Sequence, residues 1–186
     1  MIVIALPLSL PTSLLADQIV ARLYGAQFEA AANALAVLVW TNPLAALALL
    51  LVMSLRAAGR ERWLVGVAAL GALVNVAFNL AMIPRFGILG AAWMTVITEV
   101  VIIVAFMWLG LSQRIFTLPR LPLARLALGA LVLAAVSLAL ERLPVELSFT
   151  AAVLAYGVVV TATGVISRGD IDMLLSLRRK GARAAA

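Results

Sequence analysis

The sequence predicts an all-α, polytopic membrane protein of about six transmembrane helices, and three observations carry that prediction. Of 186 residues, 66% are hydrophobic and 12% charged, against roughly 45–50% and about 25% in average soluble chains. The mean hydropathy is +1.17. A soluble fold of this size leaves roughly a third of its surface in water, so this much apolar surface has to face lipid. Second, six apolar segments approach or reach the length of about 20 residues that a helix needs to cross the bilayer. Third, their apolar residues fall on every side and do not alternate, which excludes amphipathic soluble helices and barrel strands.

The segments run in order from Met1 to about Tyr24, Ala30 to Leu55, Trp63 to Met82, Leu89 to Leu111, Leu123 to Leu140, and Ser148 to Ile166. Pro7 and Pro11 interrupt the first and are expected to bend it. Pro43 in the second removes a backbone donor and predicts an unwound turn near Val39. The stretch Arg85 to Gly90 reads as a turn between the third and fourth. The first basic residue is Arg22, so no basic leader precedes the first apolar run, as a secretory signal would require. The chain starts inside that run, as expected of a span whose beginning lies upstream.

Charge supplies the orientation. Arg22, Arg85 and Arg142 occupy alternate breaks, three basic residues in all. The other breaks and the tail carry eleven: Arg56, Arg60 and Arg62; Arg114, Arg120 and Arg125; and Arg168, Arg178, Arg179, Lys180 and Arg183. Lys and Arg are retained on the cytoplasmic side, so both chain ends are expected there. This scatter explains the net charge of +6 as topology and argues against a nucleic-acid surface. Asp170 to Lys180 reads as a short basic amphipathic helix, an interfacial anchor or a partner-binding helix.

Absent residues exclude much of enzymology. With no His and no Cys there is no imidazole base, thiol nucleophile, disulfide, or zinc site built on those ligands. No phosphate-cradling motif with its Lys is present, and no acid, base and nucleophile converge, so neither an enzyme nor a cofactor is expected.

Polar residues at membrane depth are the informative ones. Glu99 lies near the middle of the fourth span with Thr95 one turn before it. It reads either as a cavity or coupling carboxylate or as a carboxyl bonded to a neighbouring helix. Asn75 and Asn79 continue a stripe with Val67 and Gly71 that reads as close helix packing joined by amides, or as cavity lining. Asn42 beside Pro43 marks a broken helix, and broken helices can line substrate sites.

Several of these residues also carry a resemblance. Gly71-Ala72, Asn75 and Asn79, then Ile83-Pro84, Gly87, Gly90-Ala91-Ala92, Thr95 and Glu99, follow the order and spacing of a known pattern. Leu23-Tyr24-Gly25, Phe28, Ala31 and Leu35, and the loop Ala58-Gly59-Arg60, extend it over about residues 3 to 108. The stretch resembles the C-terminal part of polysaccharide biosynthesis proteins, the oligosaccharide-lipid flippases of lipopolysaccharide O-antigen export. They belong to the multidrug/oligosaccharidyl-lipid/polysaccharide exporter superfamily.

The resemblance implies two related helical lobes around a cavity with alternating access. That cavity passes a polyprenyl-diphosphate-linked oligosaccharide across the bacterial inner membrane. Residues 1–111 would be a four-span domain of this type, 112–166 two further helices, and 167–186 a cytoplasmic tail. The chain would form most of one lobe and need a missing N-terminal lobe or a second chain. Arg60 is the candidate contact for the anionic substrate, or a positive-inside anchor. Two alternatives stand beside this reading: a drug/cation antiporter of the same superfamily with Glu99 as its coupling carboxylate, and a non-transporting scaffold in a polysaccharide-synthesis complex.

Overall fold

The structure is a computed structural model that describes residues 2–116 and 123–164. All regular elements among the described residues are helices. They are α1 (Ile2–Leu14), α2 (Ala16–Tyr24), α3 (Glu29–Leu38), α4 (Thr41–Ala57), α5 (Arg62–Ser112), α6 (Leu123–Ala139) and α7 (Val145–Ala162). Three stretches are long and apolar enough to cross a membrane: α3 with α4 (Glu29–Ala57), α5, and α7. The α1–α2 pair is a fourth if its bent halves count as one span. The expected basic helix at Asp170 to Lys180 lies outside the described residues, as do Arg120 and the rest of the tail.

The first span bends by 73° between α1 and α2. The helix passes through Pro7 and Pro11 and breaks at Leu15 instead. Composition explains the place. Beyond Leu15 the chain carries Asp17, Gln18 and Arg22, which are costly in hydrocarbon, so α2 turns aside from the line of α1. Two contacts tie α2 to the α6–α7 turn. The Gln18 Nε2 amide donates to the Glu141 carbonyl at 2.7 Å, and Arg22 Nε lies 3.5 Å from the Glu146 carboxylate.

Between α3 and α4 the helix unwinds at Val39 and Trp40, as Pro43 predicts. Pro43 has no N–H for the Val39 carbonyl, and the Asn42 N–H takes that acceptor one residue early, at 3.2 Å. The indole of Trp40 donates to Ser13 Oγ at 3.3 Å, and Ser13 donates to the Ala36 carbonyl at 2.8 Å. These bonds pin the end of α1 beside the break.

Asn75 Nδ2 lies 3.2 Å from Thr98 Oγ1 although 23 residues separate them. In one straight helix they would stand about 35 Å apart. The α5 chain therefore doubles back, and it does so at Gly87, whose φ of 57° and ψ of −138° are non-helical. The pairs Gly71/Ile102 and Asn75/Thr98 sit symmetrically about that residue. A turn spread over Arg85 to Gly90 is thus replaced by a reversal at one glycine, flanked by helical arms of residues 62–86 and 88–112. Gly90 serves the same reversal, since a Cβ there would lie 2.8 Å from the Met82 carbonyl.

The remaining packing forms three apolar clusters. Leu51 and Leu55 of α4 meet Val67, Ile103, Phe106 and Leu109 of α5, with Phe116 folded against them. Leu133 of α6 meets Ala152, Tyr156 and Val160 of α7 under Val3, Leu6 and Leu10 of α1. Ala16 and Val20 of α2 meet Ala32 of α3. The helix order across the molecule is α6 and α7, then α1, then α3 and α4, then the α5 hairpin. Arg22 and the α6–α7 turn share one end by direct contact. The α4–α5 turn and residues 115–116 share another cluster, which groups Arg56, Arg60 and Arg62 with the turn that carries Arg114.

Candidate functional site

The polar residues predicted to matter separate into distinct places. Asn75, Asn79 and Thr95 line one groove, together with Val76, Leu80, Ile83, Pro84 and Ala91, in a volume of about 450 Å³. Asn42 lies in another of about 380 Å³, with Ile4, Ala5 and Leu8 of α1 and Ala46 of α4. Glu99 is half-buried and lines neither. Arg60 sits in the α4–α5 turn, after Gly59 at φ 68°.

The α5 groove is organised by a run of hydrogen bonds with a fixed direction. Thr98 donates its hydroxyl to the Met94 carbonyl at 2.7 Å, so it can only accept from Asn75 Nδ2. That leaves Asn75 Oδ1 to accept from Asn79 Nδ2 at 3.0 Å. Asn79 Oδ1 ends the run, buried and without a partner among the described residues. Thr95 turns inward on its own helix, donating to the Ala91 carbonyl at 2.9 Å. The packing role read from the Asn75/Asn79 stripe is therefore present, because the amides bridge the two arms.

The α1–α4 groove has the opposite character. Asn42 is exposed, and its side chain bonds to no described residue. It stands midway along the 29-residue stretch of α3 and α4, just after the break at Val39 and Trp40. An exposed amide at that depth is unfavourable against lipid and calls for protein or water on its far side.

Comparison with family models, with curated proteins and with solved structures returns no match for this chain.

Glu99 makes no ion pair or hydrogen bond with a described residue, although Ile103 and Phe106 at helical spacing on the same side are buried. Among the described residues no group of three or more acids stands ready for a metal ion. The sequence does not single out Ser13 and Trp40, which couple α1 to the break, and it marks Pro84 and Ala91 only as pattern residues, not as lining of the α5 groove. Ala91 was legible in principle, since it precedes Thr95 by one helical turn. Ser13 was not, because its partners lie 23 and 27 residues away on another helix.

Proposed function

We propose that the chain is the C-terminal lobe of a membrane flippase that moves a polyprenyl-diphosphate-linked oligosaccharide across a bacterial inner membrane. It crosses that membrane six times, by α1–α2, α3–α4, the two arms of α5, α6 and α7. Both ends lie on the cytoplasmic side, as the split of basic residues requires. The observation that supports this reading best is Asn42, exposed at membrane depth beside a broken helix and a proline-bearing α1. Such a face has no use in lipid. It suits one wall of a polar path whose other wall belongs to a second lobe or chain. The residue pattern from Gly71 to Glu99 supplies the substrate class.

The test is reconstitution of the chain into vesicles with a fluorescent lipid-linked oligosaccharide. The chain alone is expected to leave the probe in its starting leaflet, and co-expression with a complementing lobe to restore flipping. Flipping by the monomeric chain would overturn the proposal. A second reading, the drug/cation antiporter, draws on one feature, Glu99, half-buried and without an ion pair among the described residues. Replacing it with Gln in the assembled protein separates the two: glycan export is expected to survive, whereas cation-driven drug efflux would be lost.

A further inference from the structure

Four arginines gather where the α4–α5 turn meets residues 113–116. Arg56, Arg62 and Arg114 are exposed and Arg60 is half-buried, and none pairs with a described acid. The two turns stand on one apolar cluster, with Leu55 and Leu64 under the first and Leu109, Ile115 and Phe116 under the second. Glu61 is the one carboxylate in these turns. The C-termini of α4 and α5 add about half a negative charge each, so the four guanidiniums leave about two positive charges unanswered.

The turns close by the same hydrogen bonds. At the end of α4 the Gly59 N–H donates to the Arg56 carbonyl at 2.9 Å, and the Arg60 N–H to the Leu55 carbonyl at 3.0 Å. At the end of α5 the Arg114 N–H donates to the Leu111 carbonyl at 3.1 Å, and the Ile115 N–H to the Gly110 carbonyl at 2.9 Å. This cap needs a left-handed residue, which glycine supplies without steric cost. Gly59 takes that place in the first turn at φ 68°, but Arg114 takes it in the second at φ 52°. Among the described residues every other positive φ belongs to a glycine. A side chain kept where a Cβ is disfavoured calls for a use of its guanidinium.

Two indoles set the depth of these charges. Trp63 follows Arg62, whose guanidinium lies 5.5 Å from its ring centroid. Trp108 is 68% exposed, one turn before the end of α5. Indoles with an apolar body and a polar tip settle at headgroup level. The guanidiniums therefore stand where lipid phosphates are, and bonds from guanidinium to phosphate are strong and directional. Topology alone needs a count of positive charges and no fixed turn to present them.

We propose that these paired turns bind the headgroup of an anionic phospholipid of the surrounding leaflet. Guanidiniums from both turns meet its phosphate, Arg62 backed by Trp63 from the first and Arg114 from the second, and Arg56 and Arg60 supply the surrounding positive field. The site requires only that this end of the protein lies at a membrane surface. It is independent of whether the protein is a flippase.

The experiment is native mass spectrometry of the purified full chain in detergent, with phosphatidylglycerol and phosphatidylcholine of identical chains as competing probes. Each engaged guanidinium is worth about fivefold at a membrane surface, so the wild type is expected to retain phosphatidylglycerol about 25-fold in preference. Arg62→Gln and Arg114→Gly should each lower the preference about fivefold, and the double variant should erase it. Gly suits the left-handed position, so Arg114→Gly removes the charge and keeps the cap. Arg125→Gln, at the start of α6 on the far edge of the molecule, should leave the preference unchanged. Equal retention of the two lipids by the wild type, or retention of neither, overturns the proposal whether or not the variants fold. So does a preference that survives in the double variant, or one that falls as far in Arg125→Gln, which would mean diffuse charge. Displacement of phosphatidylglycerol by pyrophosphate, but not by chloride at the same ionic strength, would show a site for a soluble diphosphate and also overturns it.

Discussion

Asn75 and Asn42 are the same amide, each set within a long apolar helical stretch, and the fold treats them in opposite ways. Asn75 is half-buried between the arms of α5, donating to Thr98 and accepting from Asn79. Asn42 faces outward from a break in its helix and bonds to no described side chain. The difference lies in the backbone around each. At Gly87 the chain reverses sharply, so two arms of one helix face each other along their length and satisfy one another's polar groups. At Val39 the helix only loosens, and α1 covers part of the opening. A polar residue in a membrane helix is therefore structural where its own chain returns to meet it, and available where it does not.

The largest effect expected on that contrast comes from Gly87. Its φ and ψ are open to glycine alone, so Gly87→Ala should lower stability by about 1–3 kcal/mol, read as a drop in thermal unfolding temperature in detergent. Gly66 is the control. It lies inside the same helix with open space around it, so Gly66→Ala should raise stability by about 0.5–1 kcal/mol. A shift of the same sign in both variants would remove the reversal from the account.

Next in size is Asn75→Leu, which breaks two bonds between or along the arms. It should cost about 1–2 kcal/mol. Asn42→Leu should leave unfolding of the isolated chain unchanged and appear only as lost transport in the assembled protein. The smallest effect belongs to the exposed Arg22–Glu146 pair. Arg22→Gln should change stability by less than about 0.5 kcal/mol, and less still in high salt.

The sequence announces its helices because lipid demands continuous apolar runs; the bounds of α6 follow to within a residue, whereas α7 begins three residues before the expected Ser148 and ends at Ala162. The break at Val39 was legible from Pro43, since a missing N–H acts on its own helix. The bend at Leu15 was not assigned to its cause, because α1 holds its helix through Pro7 and Pro11 and the polarity of α2 decides the angle. The reversal at Gly87 was legible as a turn but not in its sharpness, which depends on Gly90 lying against Met82. Asn75 and Asn79 read as a packing stripe and Asn42 as the mark of a broken helix, but the partner of Asn75 on the other arm of α5, Thr98, was not assigned. Thr98 lies 23 residues from Asn75, and no local pattern records that pairing.

The chain has no cysteine, so single cysteines report position without a background. The direct test of the central claim is labelling of Asn42→Cys in native membranes by a water-soluble, charged maleimide, compared with Leu73→Cys on the exposed flank of α5. The account predicts rapid labelling at 42, blocked by excess substrate, and none at 73. Equal protection of both positions would mean that Asn42 faces lipid or packed protein, and would contradict a polar path along that face.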